Sequence, residues 1–147
     1  MAVQRILAAT DFSALASAAV RHAAEIARNS NAELIILYAD PFDPPAEFTA
    51  GQVDEIAKHL ERSRKRAQEE LERYAAQQTG QGVRWRAIVA VGTPAAAIVK
   101  AAREQGADLI AMGTHGRTGL RRLFLGSVAE RVMRDAPVPV LTVREAA

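Results

Sequence analysis

The chain has 147 residues, 49% of them apolar and 24% charged, the size and balance of one globular domain with room for a core and little room for two. Basic and acidic side chains nearly cancel, at a formal +2, and there is no cysteine. Charge alone therefore implies no nucleic-acid partner, while a disulfide framework, a thiolate metal site and cysteine catalysis are excluded.

Met1-Ala2-Val3-Gln4-Arg5-Ile6 has no basic segment followed by a long apolar run, so neither a signal peptide nor a membrane anchor is expected, and the cytoplasm fits. The first strand is predicted over residues 3–9, and its apolar run from Ile6 to Ala9 is the pattern of a strand covered on both faces. Ser13 is a plausible N-cap for the first helix, which carries Leu15, Ala19, His22 and Ile26 on one face, with His22 at the margin. A second strand is predicted over residues 33–39. Past it, Asp40-Pro41-Phe42-Asp43-Pro44-Pro45 forbids regular ladders and forms a stiff connection, readable either as a cover over a ligand or as a plain connector.

The second helix is predicted over residues 52–78, with Val53, Ile56, Leu60, Ala67, Leu71 and Tyr74 along one stripe. Residues 83–91 read as the third strand. The third helix starts at Pro94, a good first-turn residue, and runs through Ile98 and Ala101 to a stop at Gly106. The fourth strand, residues 108–112, again carries an apolar run, from Leu109 to Met112; the fourth helix begins at Ser127 and the fifth strand covers residues 138–143. Short aliphatic strands alternating with longer helices are the pattern of βαβ units on a parallel sheet.

Between the fourth strand and the fourth helix lies G-x2-G-x9-G-S, formed by Gly113, Gly116, Gly126 and Ser127. Phosphate oxygens need closely spaced amide donors, which glycine permits, and a helix start adds unpaired N–H groups and the positive end of its dipole. Gly126 and Ser127 are therefore a natural anion seat. Neither GxxxxGK[ST] nor a GxGxxG after the first strand occurs, so fast NTP hydrolysis and a dinucleotide fold are not supported. A flavodoxin-type flavin carrier would need a phosphate loop where Thr10-Asp11-Phe12-Ser13 has no glycine. Local readings compete at three residues. Ser127 with Glu130 forms S-x-x-E, a capping box; Asp11 suits a turn as well as a ligand; and His115 reads as a loop histidine more than as a general base. No spacing of His, Asp and Glu argues for a metal site built by the protein.

Over essentially its whole length the chain resembles the universal stress proteins, and in particular the members whose glycine spacing marks ATP binding. The resemblance is carried by Ala9-Thr10-Asp11-Phe12-Ser13, Leu37-Tyr38-Ala39, Gly92-Thr93-Pro94, the run from Ala107 to Gly113, the glycine loop itself and Pro137-Val138-Pro139-Val140-Leu141. It implies an α/β fold, a single-domain, doubly wound five-stranded parallel sheet of order 3-2-1-4-5 with helices on both faces. It also implies a site: Asp11 on the ribose hydroxyls, the Ala39 backbone at the adenine edge, Ala9 and Thr10 lining the pocket, and Met112 near the base. Gly113, Thr114, His115, Gly116, Arg117, Thr118 and Gly119 would wrap ribose and phosphates, with Gly126, Ser127, Val128 and Ala129 holding phosphate. Ala9 stands where some binders have proline, and Ala129 lacks a hydroxyl that some relatives offer. The expected ligand is ATP, with any Mg2+ carried by the triphosphate, and the expected assembly is a homodimer through the apolar edge of Val138, Val140, Leu141 and Val143. The expected role is a nucleotide-responsive stress module; a slow ATPase or nucleotidyl transferase using Asp11 or His115, and a dimer that binds no nucleotide, are the alternatives. On this reading Gly126→Val is expected to abolish binding and leave the fold intact.

Overall fold

The computed structural model describes residues 2–41, 49–115 and 125–144. Among them the elements run β1 (Arg5–Thr10), α1 (Ala14–Ser30), β2 (Glu33–Asp40), α2 (Ala50–Thr79), β3 (Arg84–Val91), α3 (Pro94–Glu104), β4 (Leu109–Gly113), α4 (Ser127–Asp135) and β5 (Val140–Val143). The strands are all parallel, in the order β3-β2-β1-β4-β5 that the resemblance implied. From β1 the chain steps outward to β2 and β3, then returns across the sheet to β4. The direction of winding thus reverses between β1 and β4, the place where open sheets of this kind leave a crevice beyond their strand ends.

Alternation along the strands builds two cores. Ile6, Ala8, Leu34, Ile36 and Ala111 point to the face covered by α1 and α2, against Val20, Ala23, Ala27, Leu71 and Ala75. Leu7, Ala9, Ile35, Leu37, Ile110 and Met112 point to the face covered by α3 and α4, against Ile98, Ala102, Ala129 and Val132. Ile6, Leu7, Leu34, Ile35, Ile36 and Ile110 are fully buried, each contributing roughly 1.5–3 kcal/mol through its lost water contact. At the end of the sheet away from the crevice, Asp108 Oδ2 accepts the main-chain N–H groups of Gln4 at 2.7 Å and Arg5 at 2.9 Å, fastening β1 to the start of β4.

Ser13 caps α1 as expected, its Oγ accepting the Ala16 N–H at 3.2 Å. The buried face of α1 shares Ala19 with the predicted one and is otherwise shifted from it. Ala16, Ala19, Val20, Ala23, Ala24 and Ala27 are buried, Leu15 and Ile26 lie at the margin, and His22 is exposed. Small side chains let this helix sit close to the sheet, so the alanine stripe wins the inner face over the larger residues beside it. In α2, only Leu71, Ala75 and Thr79 are buried. Its 30 residues span about 45 Å against about 26 Å for the 8 residues of neighbouring β3, so the first half overhangs the sheet and Val53 stays 49% exposed. A Thr49–Gln52 capping box starts it.

β5 begins at Val140, two residues later than predicted, because Pro139 has no N–H to give to a ladder; its carbonyl still accepts from Ile110 at 3.0 Å. The expected cover at residues 40–45 falls mostly on residues 42–48, outside the described residues. No described helix is long and apolar enough to cross a membrane.

Candidate functional site

Three chain segments meet at the crevice. Parallel pairing of β1 with β4 ends at Ala8 and Ala111; beyond that pair Ala9 and Thr10 complete β1, and Met112 and Gly113 complete β4. Ala39 lies on β2 one residue beyond Tyr38, the partner of Thr10. Asp11 follows immediately in the β1–α1 turn, where its Oδ1 accepts the Ser13 N–H at 3.0 Å. That bond is the local turn chemistry open to an aspartate. The first turn of α1 presses on the end of β4: a Cβ on Gly113 would lie 3.1 Å from Leu15 Cγ, so the absent side chain permits this approach.

Beyond β4, the Thr114 N–H donates to the Val143 carbonyl at 2.8 Å, and the Thr114 carbonyl accepts the Gly126 N–H at 2.7 Å. The two ends of the glycine loop are thereby tied at its base. A Cβ on Gly126 would lie 2.6 Å from the Thr114 oxygen, closer than any side chain tolerates. Gly126 has φ −62°, which any residue adopts, so its need for glycine is one of space. The expectation that Gly126→Val leaves the fold intact is corrected by this contact.

Gly126 is also the N-cap of α4, and no side-chain capping bond forms. The Ser127–Glu130 capping box is therefore absent: Ser127 is already the first helical residue, one place too late to cap. The Gly126 carbonyl accepts from Glu130 at 2.9 Å, so the amides of Ser127, Val128 and Ala129 precede the first intrahelical bond. Ser127 is exposed and Val128 half-buried, while the Ala129 methyl is buried in the α3–α4 core. The Met112 side chain is likewise 5% exposed and packed in that core.

Thr114 is buried, and its Oγ1 lies 3.0 Å from His115 Nδ1. His115 Nε2 is buried with no hydrogen-bond partner among the described residues, which leaves it an unmet polar group at the start of the loop. Gly116, Arg117, Thr118 and Gly119 lie outside the described residues.

Residues 2–144 match the sequence profile of the universal stress protein family. The chain belongs to the universal stress protein family. Among its relatives, universal stress protein MJ0531 of Methanocaldococcus jannaschii is 37% identical over 146 residues, covering 97% of this chain and 82% of the relative. Among solved structures, MJ0577 of the same organism superposes with a TM-score of 0.81 at 30% identity, over 100% of this chain and 99% of the other. A universal stress protein solved in complex with cAMP gives a TM-score of 0.69 at 29% identity, over 99% and 100% of the two chains.

Within this universal stress protein, the β1–α1 turn also holds a group that sequence reasoning left in the core stripe of α2. The Tyr74 hydroxyl reaches Thr10 Oγ1 at 2.9 Å and Ser17 Oγ at 2.7 Å. The signal was present in the sequence, since a phenol in an otherwise apolar stripe requires a polar partner once buried.

Proposed function

We propose that this universal stress protein binds ATP in the crevice between the ends of β1 and β4, and acts as a nucleotide-responsive regulatory module in the cytoplasm. One observation carries the reading: the Thr114–Gly126 bond closes the base of the glycine loop directly against the helix start whose three leading amides precede the first intrahelical bond. Oriented amides of this kind attract phosphate oxygens. The buried Nε2 of His115, which has no hydrogen-bond partner among the described residues, suits a polar group of a ligand at the same end of the loop. The cAMP complex of a relative at 29% identity supports an adenine nucleotide.

In this reading Asp11 takes the ribose hydroxyls, the Ala39 main chain meets adenine, Ala9, Thr10 and Met112 form the floor, and residues 113–119 wrap the ribose and phosphates. Ser127, Val128 and Ala129 give their amides to phosphate, and Mg2+ arrives on the triphosphate. Two copies join through β5, the last strand of the sheet, whose residues 141–144 border a shallow groove with His22, Glu25 and Ile26. Occupancy of the crevice then changes the shape or partners of the dimer.

Ser127→Glu separates the ligand reading from a purely structural one. A carboxylate in the first turn favours the helix by about 0.3–1 kcal/mol and repels a triphosphate. The variant should unfold no earlier than wild type, yet bind ATP about tenfold or more weakly by calorimetry. Unchanged affinity would remove the helix start from the site.

A further inference from the structure

Phe12, immediately after Asp11, has φ 66°, a left-handed conformation costly for a bulky side chain and kept only where the surroundings impose it. Four hydrogen bonds surround it. The Phe12 N–H donates to Thr10 Oγ1 at 3.0 Å, and Thr10 Oγ1 donates to the Tyr74 hydroxyl at 2.9 Å. Tyr74 and Ser17 are 2.7 Å apart, and Ser17 Oγ donates to the Ser13 carbonyl at 2.9 Å. Each hydroxyl has one proton, so the protons assign the one ambiguous bond: Ser17 has spent its own on Ser13, and Tyr74 must be the donor. The result is a one-way relay from the amide of Phe12, through Thr10, Tyr74 and Ser17, to the carbonyl of Ser13. It starts and ends on the two residues that follow Asp11, and its middle member belongs to a different helix. The ring of Phe12 is packed on both neighbours, with centroids 4.9 Å from Tyr38 and 5.0 Å from Tyr74.

We propose that Tyr74 is a positioning residue for the nucleotide crevice, its hydroxyl holding the β1–α1 turn in the left-handed form that aims Asp11. The proposal rests on the ATP reading above and deepens it, because it ties the ribose-facing turn to α2, whose outer half is free of the sheet. Chains of hydroxyls strengthen one another in a low-dielectric setting, and Thr10 and Ser17 are only 6% and 8% exposed. Removing the central member strands a donor on one side and an acceptor on the other.

The test compares wild type, Tyr74→Phe and Leu71→Val. Tyr74→Phe keeps the ring and deletes the relay, while Leu71→Val loosens the same helix one turn earlier without touching a hydroxyl. Two quantities are read: ATP affinity by calorimetry, and exchange of the Phe12 and Ser13 amides by NMR without nucleotide. Tyr74→Phe should bind ATP roughly tenfold more weakly and exchange faster at Phe12, whereas Leu71→Val should keep wild-type affinity despite its lower melting temperature. Wild-type affinity in Tyr74→Phe, unaltered Phe12 exchange, or equal affinity losses in both variants would overturn the positioning role. If wild type itself binds no ATP by calorimetry, the nucleotide reading falls and the role of Tyr74 toward it falls too, whereas the ligand-free exchange rates report on the Tyr74 relay alone.

Discussion

The N–H of Gly126 donates to the carbonyl of Thr114, and a Cβ on residue 126 would lie 2.6 Å from that same oxygen. Side chains at this position therefore act first on the fold. Gly126→Ala should cost about 1–3 kcal/mol of stability, and Gly126→Val more, read as a shift in urea midpoint. A Gly126→Ala protein as stable as wild type would mean that the β4–α4 junction is more yielding than this contact allows. Loss of binding in Gly126→Val then locates no ligand by itself, which is why a substitution at exposed Ser127 is the better probe.

Acid should act at the opposite end of the sheet. The Arg5 N–H, then the Gln4 N–H, hold the Asp108 carboxyl below its ordinary value, with a smaller Coulombic help from Arg5 and burial opposing. A folded value below the unfolded one gives stability that is complete above the ordinary aspartate range and is lost as pH falls through the lower folded value. Asp108→Asn should be less stable than wild type at neutral pH, and the gap should narrow on acidification below about pH 4. A gap independent of pH would remove the ionised carboxylate from the account.

The two halves of α2 should differ sharply. Leu71→Ala, in the buried third, is expected to cost about 2–5 kcal/mol. Val53→Ala, on the overhang, should stay within about 0.5 kcal/mol. Thr49→Ala removes the cap bond and should cost about 1 kcal/mol locally, visible as faster amide exchange near residue 52 more than as a change in melting temperature. Equal costs at residues 53 and 71 would contradict the overhang.

Dimerisation through β5 has a direct check. Val143→Lys places a charge beside the groove bordered by His22 and Ile26 and should convert a two-chain species to a single chain in sedimentation equilibrium. A wild type that sediments as one chain at high concentration would remove this interface.

Much of the fold was legible because burial on both faces leaves continuous apolar strands: the runs ending at Ala9 and Met112 could hardly be anything else. The glycine spacing likewise pointed to the loop that Thr114 and Gly126 close. Sequence reasoning failed where tertiary packing chose between neighbouring faces. Leu15 and Ile26 are more apolar than Ala16 and Ala23, yet close approach to the sheet selected the alanines. At the start of α4 the helix begins at Ser127 as expected, and only the competing capping reading of Ser127-x-x-Glu130 falls, because the pattern begins one residue inside the helix. Thr49-x-x-Gln52, by contrast, is the same kind of signature and does form. The phenol of Tyr74 signalled the need for a polar partner, but no local rule named which, since its two hydroxyl partners are 64 and 57 residues away.

The inner side of α1 carries five alanines and one valine in close apposition to the sheet. There is no slack under such a helix: an added methylene at Ala19 or Ala23 has nowhere to go but to tilt the whole rod. Its leading turn, at Leu15, abuts Gly113, so a wedge driven in near the middle would open the crevice between β1 and β4 from a distance, like a door forced at the hinge.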